Sequence, residues 1–164
     1  MSKLIIIRGN SGSGKTSAAK SLQKKFGRNT MLISQDMIRR EMLWVKGSSG
    51  TDIPLLTYLL KYGKQNSDIT ILEGILDAEF YKPLFEIAVK EYGLNIFAYY
   101  YDLPFEETLL RHSTKPNKFD FGEEHMRKWW KEKDFLDIIS ETILNKDLSL
   151  SDTVEMIYNS VSAI

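Results

Sequence analysis

Gly9-Asn10-Ser11-Gly12-Ser13-Gly14-Lys15-Thr16 matches G-x-x-x-x-G-K-[ST] at every fixed position. Glycines at such places let successive backbone N–H groups turn inward around an anion, with no side chain blocking its approach. A helix opening near Gly14 would add its N-terminal partial positive charge. Lys15 can reach the β- and γ-phosphates of a nucleoside triphosphate, and the Thr16 hydroxyl can ligate Mg²⁺. All eight residues therefore read as a nucleotide-phosphate site. The dinucleotide fingerprint is excluded, because no third glycine falls at the required offset from Gly12 and Gly14.

Further residues could act on what the loop holds. Ser34-Gln35-Asp36-Met37-Ile38-Arg39 follows an apolar run, so its polar groups should project beside the first loop. Asp36 could accept a hydrogen bond from a substrate hydroxyl and deprotonate it for attack on the γ-phosphorus. Arg39, three residues on, could hold an anionic substrate group or balance Asp36. Asp36 as a plain helix cap with a solvated Arg39 is the competing account. Glu73 closes the run Ile69–Leu72, and a carboxylate there reads as a partner of Mg²⁺ through water or of the attacking group. Arg111, Lys115 and Arg127 border the polar stretch Ser113–Gly122, where mobile cations could close over transferring phosphate. His112 and His125 read as polar surface or lid residues, and Trp129 and Trp130 as packing of a helix onto the core. Trp44 and the loop Gly47–Gly50 are candidates for a pocket wall by position alone.

The elements that must hold these residues follow from the apolar pattern. Leu4–Ile7, Thr30–Ile33, Ile69–Leu72, Ile96–Tyr101 and Ile138–Leu144 predict strands. The first is a continuous apolar run, as expected of a strand buried on both faces. Helices are predicted over Lys15–Phe26, Asp36–Trp44, the segment through Leu55–Leu60, Glu79–Tyr92, Pro104–His112, a charged segment through Trp129, Trp130 and Phe135, and Thr153–Val161. Strands alternating with helices at this spacing predict a parallel sheet covered on both faces. Residues 1–164 are read as a single domain with a lid segment at about 111–128.

The composition bounds the rest. Apolar residues make up 43% of the 164, and the 22 basic side chains equal the 22 acidic ones. That balance argues against attachment to nucleic acid or membrane by bulk charge. It hides a segregation, since residues 1–46 carry ten basic and two acidic side chains, which suggests an N-terminal third facing something anionic. There is no cysteine, so thiolate metal sites and cysteine nucleophiles are excluded. The run Leu4–Ile7 is too short for a signal peptide or a membrane span, and a cytoplasmic setting is expected. Asn117-Lys118-Phe119-Asp120 matches the guanine-reading N-K-x-D of GTPases. It follows a polar stretch rather than a buried strand, and no D-x-x-G follows the third strand, so it reads as an accidental match.

The combination of Gly9–Thr16, Ser34-Gln35-Asp36-x-x-Arg39, Ile71-Leu72-Glu73-Gly74, Asp102-Leu103-Pro104-Phe105-Glu106-Glu107-Thr108-Leu109-x-Arg111-His112 and Phe121-Gly122-Glu123-Glu124-x-Met126-Arg127-x-Trp129 spans most of the chain. It resembles the small P-loop kinases related to polynucleotide 5′-kinase, gluconate kinase and chloramphenicol phosphotransferase, among them short bacterial members labelled uridine kinase or AAA-family ATPase. The resemblance implies a three-layer α/β/α fold with a five-stranded parallel sheet, an ATP and Mg²⁺ site, a substrate-side Asp36 and Arg39, and a lid beginning at Arg111. Lys115 departs from the arginine that relatives tend to carry, and lysine offers a point charge instead of a bidentate fork. The expected activity is transfer of the ATP γ-phosphate to a hydroxyl of a small molecule. Lys15, Asp36 and Arg111 would be catalytic, Arg39, Glu73, Lys115 and Arg127 would contact substrate, and Thr16 and Glu73 would serve Mg²⁺. A polynucleotide 5′-hydroxyl kinase and a non-transferring regulatory ATPase are the alternatives.

Overall fold

Leu4, Ile5, Ile6 and Ile7 decide the architecture, because all four are fully buried although successive strand side chains point to opposite faces. The computed structural model describes residues 1–47 and 49–164. In it the four residues lie in strand β1 (Lys3–Gly9). Leu4 and Ile6 join a core with Leu56, Leu60, Leu84 and Phe85, while Ile5 and Ile7 join a second core with Ala18, Leu22, Val154 and Ile157. Both faces of the strand are therefore covered, which is why its sequence shows no alternation.

After β1 come helix α1 (Lys15–Phe26), ended by Gly27 at φ 87°, and strand β2 (Thr30–Ser34). A single turn α2 (Gln35–Met37) widens into a π-helical turn over Ile38–Met42. Then follow α3 (Asp52–Asn66), β3 (Ile69–Gly74), α4 (Lys82–Tyr92) and β4 (Ile96–Tyr101). The chain closes with α5 (Phe105–Ser113), α6 (Glu123–Trp129), β5 (Glu141–Leu144) and α7 (Leu150–Ser162), the last opened by a reciprocal capping box between Ser149 and Asp152. The sheet has the order β2-β3-β1-β4-β5 with every pairing parallel. Helices α1 and α7 cover one face, and α3 and α4 the other. This is the expected three-layer α/β/α fold with a five-stranded parallel sheet.

Four expected boundaries move, each for a local reason. The helix predicted over Asp36–Trp44 is short and π-wound, with the Leu43 N–H donating to the Ile38 carbonyl at 2.9 Å, and it stops where Trp44 takes φ +53°. The helix predicted from Glu79 starts at Lys82, because the Asp77 carboxylate captures the Glu79 and Phe80 N–H groups in a turn. The charged helix ends at Trp129, since backbone groups beyond it are claimed elsewhere: Asn10 takes both the N–H and the carbonyl of Lys131, and the Asp134 N–H donates to the Tyr100 hydroxyl. Strand β5 begins three residues late, with Glu141 turning its carboxylate inward to Arg8 and to the Leu136 N–H. Of the loop Gly47–Gly50, Ser48 lies outside the described residues. Among the described residues no helix is long and apolar enough to cross a membrane.

Candidate active site

The parallel register brings the carboxyl ends of β1, β3 and β2 side by side, with Arg8 opposite Gly74 and Ser34 opposite Glu73. This edge is where open α/β sheets bind ligands. From β1 the chain enters Gly9–Thr16 and then α1, whose cap Gly14 has φ +103°, with no side-chain cap and no acid in the first turn. The N–H groups at that helix start are left for an external acceptor. Gly12 has no substitute here: its φ is +82°, and a Cβ would sit 2.5 Å from the Thr108 carbonyl oxygen.

Lys15 is buried against the loop, its Nζ donating to the Asn10 carbonyl at 2.8 Å, and the Ser13 hydroxyl donates to the same oxygen at 2.6 Å. Burial pulls the Lys15 ammonium down to about 8, with Glu73 opposing and Lys115 adding to the drop. Glu73 is itself 2% exposed. Its Oε1 accepts from the Thr16 hydroxyl at 3.1 Å and from the Ser34 hydroxyl at 2.6 Å. A buried carboxylate beside a threonine hydroxyl is a pair of hard oxygen donors, which suits Mg²⁺. Asn10 enters differently from expectation. Its backbone shapes the loop, but its amide is committed to the Lys131 backbone at 2.6 and 3.0 Å.

Asp36 stands at the start of α2, and both Arg39 (2.9 Å) and Arg40 (2.8 Å) donate to its Oδ1. Arg39 thus balances the carboxylate, and Arg40 is a second partner the sequence reading did not assign. From the other side Arg111 donates to the Ser13 carbonyl at 2.8 Å and to Glu107 at 2.9 Å, fastening the end of α5 to the loop. Burial pulls the Lys115 ammonium down, with Glu73 and Asp36 opposing, so Lys115 faces the same centre. Arg127 does not. It pairs with Glu123 at 2.8 Å, lies over the Phe105 ring at 4.2 Å and lines neither of the cavities beside the loop.

Two cavities border the phosphate loop. One, about 570 Å³, is lined by Gly14, Ser17, Arg111, Lys115 and the segment Lys146–Leu150. The other, about 360 Å³, is lined by Ser11, Gly12, Lys15, Thr16, Gln35, Asp36, Arg39, Arg40 and Glu73, with Lys115, Phe121 and Trp129 from the stretch between the end of α5 and the end of α6. Both fall in the range of roughly 300–1,000 Å³ typical of small-molecule sites. Lys115 lines both.

The structure corrects several expectations and adds residues. His112 is buried, not a surface residue: its Nε2 lies 2.9 Å from the Phe121 carbonyl and its ring stacks on Phe121 at 4.6 Å. A carbonyl can only accept, so Nε2 carries the proton. Trp130 packs edge-on against Phe105, whereas Trp129 meets Phe121 edge-on at 5.2 Å and lines the smaller cavity. Trp44 is 87% exposed and lines neither cavity, although Gly47 does line the smaller one. Asn117–Asp120 lies in exposed turns, not at a strand end. Arg8, Gln35, Asp52 and Tyr81 are the residues that sequence reasoning missed. Arg8 is wholly buried, paired with Glu141 at 2.8 Å and Asp134 at 2.9 Å. Gln35 lay inside a motif already singled out, and an amide between a strand end and a candidate catalytic acid was the available signal. Asp52 and Tyr81 had none.

No family model matches the sequence, and no curated protein matches it. Solved structures do match in fold. A gluconokinase from Sinorhizobium meliloti 1021 superposes with a TM-score of 0.64 at 14% identity, over 98% of this chain and 92% of that one. The Mycobacterium tuberculosis APS kinase, solved with AMPPNP and APS, gives 0.68 at 16% identity over 98% of each chain. A tunicamycin resistance protein from Deinococcus radiodurans gives 0.64 at 19% identity, over 98% of this chain and 96% of that one. At these identities the likeness is one of fold: the chain shares the architecture of small P-loop kinases along nearly its whole length.

Proposed function

We propose that this protein is an ATP-dependent kinase that transfers the γ-phosphoryl group to a hydroxyl of a small molecule. One observation carries the reading. The phosphate loop borders two cavities, one reached from Gly14 and Arg111 and the other from Lys15 and Asp36, and Lys115 lines both. A donor on one side and an acceptor on the other would meet at the loop. The fold neighbours support it in kind, being described as a gluconokinase and as an APS kinase bound to AMPPNP and APS.

The triphosphate would lie on the inward N–H groups of Gly9–Thr16 and the start of α1. Lys15 would exchange the Asn10 carbonyl for phosphate oxygens. Thr16 and Glu73 would hold Mg²⁺, which neutralises charge on the β- and γ-phosphate oxygens when bound. Among the described residues no three His, Cys, Asp or Glu cluster to cage a metal, so these two oxygens fit an ion that takes its other ligands from phosphate and water. Asp36 would orient the acceptor hydroxyl in the smaller cavity and take its proton as the new O–P bond forms. The bond from the γ-phosphorus to the β–γ bridging oxygen breaks, and ADP leaves with that electron pair. Arg111 and Lys115 would stabilise charge spreading over the transferring group, and positioning would supply much of the remaining rate.

The test separates binding from transfer. Asp36→Asn should leave the AMPPNP dissociation constant within about twofold and lower kcat for transfer by about 10²–10⁴, read by ADP formation and product mass. Near-normal transfer in that variant contradicts the assigned role.

A further inference from the structure

Gln35, Asp52 and Tyr81 form a buried polar triad, at 7%, 2% and 3% exposure, of which Gln35 and Tyr81 line the smaller cavity. Their hydrogen bonds fix the identity of every polar atom. The Asp52 carboxylate, first residue of α3, can only accept. Its Oδ2 receives the Tyr81 hydroxyl at 2.7 Å and Gln35 Nε2 at 2.9 Å. Tyr81 has given its one proton to Asp52, so its oxygen accepts the second N–H of Gln35 at 2.9 Å. Both donors of the Gln35 amide are thereby used, and the amide cannot flip without facing its carbonyl to a carboxylate. The one remaining hydrogen-bonding atom of the triad's amide is Gln35 Oε1. Among the described residues no donor reaches it, and Gln35 lines the cavity.

Gly74 makes room for this arrangement. A Cβ there would fall 2.9 Å from Gln35 Cβ and 3.3 Å from Oε1. Across the cavity stand the lid aromatics Phe121 and Trp129. Among the lining charges, Arg39 and Arg40 share the single Asp36 carboxylate and Asp77 pairs with Lys131, whereas Lys15 and Lys115 stand near the buried Glu73. A cavity with a fixed acceptor atom and aromatic side chains in its wall matches a ring compound bearing an O–H or N–H donor.

Resting on the kinase reading above, we infer that Gln35, locked by Asp52 and Tyr81, is a specificity-determining residue. Its Oε1 accepts a hydrogen bond from a ring-bearing, small-molecule acceptor substrate, near the hydroxyl that receives phosphate. A site built to pair a substrate donor discriminates strongly against an analogue that lacks it, because a desolvated acceptor is then left unmatched. The donor could belong to a planar ring, as in a nucleoside, or to a saturated one, as in a cyclic polyol.

The experiment measures transfer from ATP to two sets of acceptors. Uridine and adenosine with singly methylated or deoxygenated analogues form the planar arm. Methyl glucoside and myo-inositol with their monodeoxy analogues form the saturated arm, and gluconate, which has no ring, and a 5′-hydroxyl oligonucleotide, which is not a small molecule, serve as controls. Wild type should phosphorylate a member of one ring arm and lose about 30-fold in kcat/KM when one particular donor is removed from it. Gln35→Leu should lower kcat/KM for the parent by about the same factor and abolish the preference over that analogue, with the AMPPNP dissociation constant within twofold. Tyr81→Phe, which keeps the ring and removes only the O–H, should lose about threefold to tenfold, and it carries the test if Gln35→Leu does not fold. Transfer to these controls alone, or a donor preference unchanged in both variants, overturns this inference and leaves the kinase reading standing. No transfer to any compound by protein that binds AMPPNP overturns both.

Discussion

Lys15 is 8% exposed with its ammonium on the Asn10 carbonyl, and burial brings its titration from the ordinary lysine value of 10.5 down to about 8 against the pull of Glu73. The unfolded chain therefore holds this proton more firmly than the folded one. The cost of keeping Lys15 charged is fully present below pH 8, and this residue's contribution to stability rises as pH climbs from about 8 towards 10.5. Nucleotide reverses the balance. A triphosphate on the loop favours the ammonium, so binding should take up a proton above pH 8, and Lys115 shifts in the same direction. Affinity for AMPPNP should be level from pH 6.5 to 7.5 and fall by up to about tenfold per pH unit beyond 8. Titration calorimetry in buffers of different ionisation enthalpy reads both the fall and the proton uptake. A constant dissociation constant to pH 9.5 with no proton uptake would contradict the account. Lys15→Ala should lower transfer by at least about 10²–10³, the scale of one preorganised donor lost from a charged transition state.

At the scale of elements, the segment from Lys131 to Glu141, where the sequence pattern predicted the end of a helix and the start of a strand, is an irregular strap. It ties the lid helix α6 to the phosphate loop through Asn10, to the turn at Asp77–Ala78 through Lys131 and Asp134, and to β1 through Arg8. Arg8 is the centre of that strap, stacked between Phe85 and Tyr100 with each ring centroid 5.4 Å from its guanidinium. Removing one partner of a buried ion pair leaves uncompensated charge and costs about 3–5 kcal/mol. Arg8→Met should therefore lower unfolding free energy by about that amount and Tm by about 10 °C, and a second change, Glu141→Gln, should recover part of it. Urea unfolding of the single and double variants checks this; a loss below about 1 kcal/mol would show that the strap is not held by Arg8.

The strap also marks where the sequence was legible. Gly9–Thr16 could be read because backbone demands and side-chain chemistry coincide in eight consecutive residues. Leu4–Ile7 and Ile96–Tyr101 could be read because doubly covered strands leave an unbroken apolar run, and Ile69–Leu72 because only Thr70 interrupts its own. Arg8 could not, since nothing local says that a basic residue ending such a run will find two carboxylates more than 120 positions away. Asp52 and Tyr81 were invisible for the same reason, their meaning arising only when α3 and the turn before α4 meet Gln35. Arg127 illustrates the converse. Its position among lid cations suggested phosphate, but a neighbour four residues back and an aromatic ring on α5 take its charge.

For the whole molecule, folding answers part of the segregation of charge along the chain. Basic side chains of the N-terminal third pair with acids from the remainder, Arg8 with Asp134 and Glu141, and Lys25 with Glu155. What remains as an anion-handling feature is local, made of Lys15 in the loop with Arg111 and Lys115 opposite. An internally balanced molecule with two bordering cavities of about 570 and 360 Å³ suits two small ligands. The direct measurement is the fate of the γ-phosphoryl group itself. Wild-type protein with Mg²⁺ and ATP carrying ¹⁸O in its γ-phosphoryl oxygens would be incubated with a broad panel of small hydroxyl compounds and a 5′-hydroxyl oligonucleotide, and every product weighed by mass spectrometry. The account predicts labelled phosphate on a small-molecule hydroxyl, in amounts equal to the ADP formed and lost in Lys15→Ala. Label found only in inorganic phosphate, or only on the oligonucleotide, would contradict it.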